Sequence, residues 1–178
     1  MLRGFFFETV SYLCPMKRHY ILWYRLDQKD RYLIWISDKI DTVLVRDKRV
    51  ATFETIAEVQ AYAAAQRITL VDEAPVVNNF DTVQDWITDP NQVLNAVDCM
   101  NVWNLVKDIT TAFKIKFKGN LTDPMTLEVY DKICQNNTIP AHVPGAEGGK
   151  RNLKEKERKV LADIMAQAIA IAQKTIVV

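Results

Sequence analysis

Residues 19–38 decide the fold: HYILWYRLD over 19–27, then Gln28, Lys29 and Asp30, then RYLIWISD over 31–38. Both runs are rich in aromatic and β-branched residues, and the short polar loop between them suits a hairpin, so the pattern predicts two paired strands. Outward from this hairpin, residues 41–46 (DTVLVR) read as a third strand closed by Asp47, Lys48 and Arg49. Thr52 is placed to N-cap a helix over residues 53–67, where Phe53, Ile56, Val59 and Ala63 recur at helical spacing. Residues 68–71 could return to the sheet as a fourth strand. The expectation for residues 16–71 is a small antiparallel β-sheet with one packed helix.

Residues 72–80 (DEAPVVNNF) are polar at their ends and carry Pro75 and two asparagines, the composition of a linker. Beyond it, residues 81–178 read as mainly α-helical. A short helix is expected over 82–87, longer ones over 91–113 and 124–135, and the longest from Leu153 to about Thr175. Asn152 followed by Glu155 resembles a capping box at the start of the last helix. Residues 136–150 hold two prolines and three glycines and are expected to form a loop with a mobile tip near Gly148 and Gly149. A sheet-plus-helix part followed by a helical C-terminal part is an α+β architecture rather than a series of βαβ units. Residues 1–15, where Arg3 precedes Phe5, Phe6 and Phe7, only loosely imitate a signal peptide, because Glu8 interrupts the apolar run. With Met16 as a natural alternative start, they are expected to be a dispensable extension.

The chain has 178 residues, of which 49% are hydrophobic and 25% charged, a globular composition that fits one or two compact units. A formal charge of +1 excludes a global field that would gather nucleic acid or an anionic membrane. The charge is patterned, however. Residues 1–71 carry 11 Lys/Arg and 8 Asp/Glu, residues 72–110 carry 1 and 7, and residues 111–178 carry 11 and 7. The acidic middle reads either as an ordinary solvated surface or as a docking surface for something basic. No stretch approaches the roughly 20 apolar residues that span a bilayer.

The chemistry-bearing residues are sparse. Cys14, Cys99 and Cys134 have no CxxC spacing, and with only His19 and His142 beside them they indicate neither a disulfide framework nor a zinc site. The thiols suit a reducing cytosol. There is no GxGxxG, GxxxxGK[ST], HExxH or GxSxG, and Asp85 and Asp89 at i, i+4 are interrupted as a helical pair by Pro90. The expectation is a protein that is not an enzyme and uses no cofactor or metal. The aromatic hairpin residues Trp23, Tyr24, Tyr32 and Trp35 could stack nucleobases if they face outward, but the charges around them are mixed.

Residues 98–113 (DCMNVWNLVKDITTAF) combine two stripes on one helix. Cys99, Val102, Trp103, Val106, Ile109 and Phe113 form an apolar face, while Asn101, Asn104, Asp108 and Thr111 recur on another. The second stripe is open to two readings: a solvated face, or side chains bonded to a neighbouring loop or a partner.

The second half resembles a group of bacterial immunity proteins from polymorphic toxin and contact-dependent growth inhibition systems. The resemblance is carried by NVWNLVKDITTAF (101–113), KFKGN (116–120), VYDKICQNNTIPAHVPG (129–145) and a closing amphipathic helix, and it spans roughly residues 93–174. Its motif positions fall on Trp103, Asn104, Asp108, Tyr130, Asp131, Lys132, Asn136, Asn137 and Pro140. Ala146, Gly148, Gly149, Lys150 and Arg151 depart from the tyrosine-rich segment of that pattern. The resemblance implies a cytoplasmic, stoichiometric inhibitor that binds a cognate toxin C-terminal domain and covers its active site or substrate entrance, with no membrane and no direct nucleic acid as partner.

Charge and chemistry then suggest which residues would meet a basic nuclease: Asp72, Glu73, Asp81, Asp85 and Asp89, with Trp86 as a desolvated anchor. Asn101, Asn104 and Asp108 complete the expected partner-binding set. A nucleic-acid-binding module and a small enzyme with an unfamiliar site, testable at His142 or Asp108, are the other two classes.

Overall fold

The computed structural model describes residues 17–89, 92–120, 123–138 and 152–176. The expected extension (1–15), Cys14, Pro140, His142 and the tip at Gly148 and Gly149 lie outside the described residues.

The hairpin forms where alternation predicts it. Strands β1 (Arg18–Leu26) and β2 (Lys29–Ser37) pair antiparallel from Arg18↔Ser37 to Leu26↔Lys29. The turn is tighter than expected, just Asp27 and Gln28, both left-handed at φ 52° and 61°. That is the two-residue geometry whose twist matches paired strands. Lys29 and Asp30 therefore belong to β2.

The expected third strand divides into two short ones. β3 (Thr42–Val43) pairs with β2, while β4 (Val45–Arg46) turns through Asp47 and Lys48 to pair with β5 (Arg49–Val50) as a separate ribbon. β6 (Thr52–Phe53) then pairs with β2 beside Tyr32 and Leu33. The helix consequently begins later than expected: α1 is Ile56–Ala65, and Thr55 rather than Thr52 caps it through Glu58 N–H. Residues 68–71 contribute only a single bridge, His19 to Leu70.

The stretch expected as a linker supplies a strand. β7 (Val77–Asn79) pairs parallel with β1 from Trp23 to Arg25, which makes the sheet mixed rather than antiparallel, in the order β3-β2-β1-β7. Among the described residues four helices follow: α2 (Phe80–Thr88), α3 (Ala96–Phe113), α4 (Pro124–Thr138) and α5 (Glu155–Thr175). The fold is α+β, an N-terminal mixed sheet with a helix and a mostly helical C-terminal part. Asn136–Thr138, expected as loop, continue α4. At α5 the cap lies two residues downstream of the expected one, because Glu157 reaches back to the Lys154 N–H at 2.8 Å.

Side-chain alternation sends the sheet into two cores. On one face Ile34, Ile36 and Phe53 pack with Val59 of α1. On the other, Tyr24, Leu26 and Leu33 join Phe80, Val83, Trp103, Ile109, Leu161 and Met165. The helical part thus lies directly against the sheet through a shared core. Among the described residues no helix is long and apolar enough to cross a membrane.

Candidate functional site

The same alternation that buries Leu33 places Tyr20, Leu22 and the cross-strand Trp35 together on the α3 side of the sheet. Tyr20 and Trp35 are register partners, and their rings lie 5.2 Å apart at 48°. Helix α3 runs past this face with Asn101, Asn104, Leu105 and Asp108 turned towards it. β7 adds Asn78 from the side. Together with Leu22 and Trp35 these residues line a cleft of about 160 Å³. A second groove of about 320 Å³ shares the Leu22 and Trp35 walls and is bounded by Tyr20, Glu73, Pro75 and Val76.

Hydrogen bonds fix the cleft walls. The Trp35 indole N–H donates to Asp108 Oδ2 at 2.7 Å, Asn78 Nδ2 donates to the Trp23 carbonyl at 3.0 Å, and Asn101 Nδ2 donates to the Val77 carbonyl at 3.4 Å. Asn104 Oδ1 accepts the Tyr130 hydroxyl at 2.9 Å. The polar stripe of α3 is therefore a connecting seam rather than only a solvated face. Burial pushes the Asp108 carboxyl up to about 6; the Trp35 hydrogen bond opposes this, the nearby Asp41 adds to it and Lys107 opposes it. An ionised carboxylate offers about four acceptor positions, so one indole N–H leaves this group able to receive further donors.

The expected contact residues separate into distinct places. Asp72 and Glu73 are exposed, Glu73 in the groove beside Trp35. Asp85 is exposed on α2, and no described cation forms an ion pair with Asp72, Glu73 or Asp85. Asp81 is engaged internally, its Oδ2 accepting the Gln28 N–H at the hairpin turn at 2.9 Å. Asp89 is the C-cap of α2 and accepts from Gln92 Nε2 at 3.4 Å.

Trp86, expected as an outward-facing anchor, faces inward. It is only 3% exposed, packed in the main core, with the Arg158 guanidinium 5.6 Å from its ring centroid. Its spacing from Phe80 and Val83 along α2 puts it on that helix's inner face, so its surface is spent on this chain's own fold and not offered to a partner. Trp35 and Asn78 line the cleft although neither is among the residues expected to meet a partner. The cross-strand register of the hairpin carried the signal for Trp35; Asn78 depends on β7, which reads as a connection.

The motif residues behind the resemblance also have places. Trp103 is fully buried, donates its N–H to the Gly119 carbonyl at 2.7 Å and meets the Tyr130 ring edge-on at 5.3 Å. Lys132, nearly buried, forms ion pairs with Glu157 at 2.6 Å and Glu128 at 3.0 Å, joining α4 to the start of α5. This pairing holds the Glu157 carboxyl below its usual range. Trp103, Asn104, Gly119, Tyr130 and Lys132 thus lock α3, α4 and α5 together, while Asp131 is exposed. Asn136 and Asn137 lie in the last turn of α4. Among the described residues no group of three His, Cys, Asp or Glu side chains is arranged to hold a metal ion. No protein-family model, no curated protein and no solved structure matches this chain.

Proposed function

We propose that the chain is a cytoplasmic immunity protein that neutralises a cognate toxin domain by stoichiometric binding, and that the toxin is a basic one of the nuclease kind. The observation that carries the reading is a set of exposed carboxylates with no ion-pair partner among the described residues. Asp72, Glu73 and Asp85 form no ion pair with the described residues, and the chain between Asp72 and Val106 contains no lysine or arginine. A folded protein ordinarily intersperses its surface charges, and a one-signed surface beside a polar cleft suits steering and selecting an oppositely charged partner. The resemblance of residues 93–174 to immunity proteins supports the same reading.

Co-expression with the C-terminal domain of the protein encoded immediately upstream, where an immunity role places the toxin, followed by affinity purification through a tag on this chain, tests it. A one-to-one complex that survives size-exclusion chromatography is expected. Separate elution of the two chains at micromolar concentration would remove the proposal.

A further inference from the structure

The cleft at Trp35 holds a carboxylate that forms no ion pair among the described residues. Asp108 is half-buried there, it accepts one indole N–H, and no described lysine or arginine pairs with it. Lys107, its neighbour on α3, is exposed, and Asp41 adds a second negative charge nearby. Two of the three cleft asparagines add acceptors. Asn78 spends its amide N–H groups on the main-chain carbonyls of Trp23 and Val76, and Asn101 donates one of its two to the Val77 carbonyl, so both keep an amide oxygen, while Asn104, whose oxygen takes the Tyr130 hydroxyl, keeps its N–H donors. Glu73 adds another carboxylate in the groove on the far side of Trp35. The cleft consequently offers acceptors at Asp108, Asn78 and Asn101 beside an indole ring.

A flat cation with several N–H donors complements such a place, because it can satisfy acceptors in more than one direction while stacking on an aromatic face. We propose that this cleft receives an arginine side chain of the partner protein, its guanidinium bonded to Asp108 and lying against Trp35. This deepens the immunity reading, since it rests on the chain having a protein partner and names the chemistry that partner presents.

The probe is Nα-acetyl-arginine methylamide, titrated into the full chain at neutral pH while the Trp35 indole N–H is followed by two-dimensional NMR, assigned with Trp35→Phe. The neutral citrulline counterpart, nearly identical in shape, is the control. A saturable shift with the arginine probe at a millimolar dissociation constant is expected, weak as befits a single side chain. The shift should be at least fivefold smaller with citrulline and lost in Asp108→Asn. Equal shifts with the two probes, or none by about 100 mM, would overturn the assignment; this comparison needs no altered protein to fold.

In the toxin complex, Asp108→Asn should weaken affinity at least tenfold. A complex indifferent to Asp108→Asn removes the cleft assignment and leaves immunity standing. Arginine binding without any toxin complex does the reverse.

Discussion

The indole N–H of Trp35 on β2 donates to the Asp108 carboxylate on α3 at 2.7 Å, joining residues 73 positions apart in the chain. The bond closes one side of the cleft and fixes the spacing between hairpin and helix. It also sets two constraints on Asp108 that pull in opposite directions: burial disfavours its charge, and the indole donor favours it.

If that bond ties the helix to the sheet, Trp35→Phe should cost about 1–2 kcal/mol, because a partly buried acceptor loses its donor along with some ring contact. Combined with Asp108→Ala, which removes the acceptor, the loss should fall short of the sum of the two single losses by about 1 kcal/mol, as expected for residues in direct contact. Urea unfolding of the four proteins measures this, and additive losses would show that the bond contributes nothing.

The raised Asp108 pKa makes a stability prediction with a definite sign. Its folded value, about 6, lies above the ordinary value of 3.8, so the folded state holds this proton more tightly. The resulting stability is fully present below about pH 4 and is lost as pH rises through 6. Between those limits the wild type should lose on the order of 1 kcal/mol relative to Asp108→Asn, a figure discounted for partial exposure. The difference in Tm between the two proteins, followed from pH 4 to 7, reads this directly. A difference that does not vary with pH would contradict it.

Gly119 is held between the Phe117 ring and the Trp103 indole, so tightly that an added methyl group would overlap both. Gly119→Ala should therefore displace the Trp103 hydrogen bond to the residue 119 carbonyl and destabilise by about 1–3 kcal/mol, as overpacking does. Denaturant unfolding measures the loss, and a change below about 0.5 kcal/mol would show that the Phe117 ring moves aside freely.

Gln28 sits in the left-handed region at φ 61°, where a residue with a Cβ is strained. Gln28→Gly should raise stability by roughly 0.5–1 kcal/mol, since relief of that strain outweighs the added freedom of the unfolded chain. The Gln28 N–H bond to Asp81 involves only main chain on the hairpin side and is retained. A lower Tm for the variant would contradict this account of the turn.

How far the sequence could be read depended on whether the signal was local. The hairpin was legible because period-two alternation and β-propensity act within each strand, and the helices because apolar spacing and caps do the same. β7 was hidden because three residues beside Pro75 join the sheet only through parallel pairing with β1, more than fifty residues away. Trp86 was misplaced for a different reason. Its acidic neighbours Asp81, Asp85 and Asp89 suggested a surface, although Phe80, Val83 and Trp86 at three-residue steps already mark the inner face of α2. Asn101, Asn104 and Asp108 were visible as a stripe, but their partners Val77, Tyr130 and Trp35 come from three other elements and emerge only once the chain is folded.

Survival of a host induced to make the C-terminal domain of the protein encoded upstream, where an immunity role places the toxin, with and without this chain, tests the central claim most directly. Immunity predicts that growth is restored when the chain is present, and that protection weakens when Asp72 and Glu73 are both replaced by lysine. Loss of viability that is the same whether or not the chain is produced at the level of the toxin would contradict it.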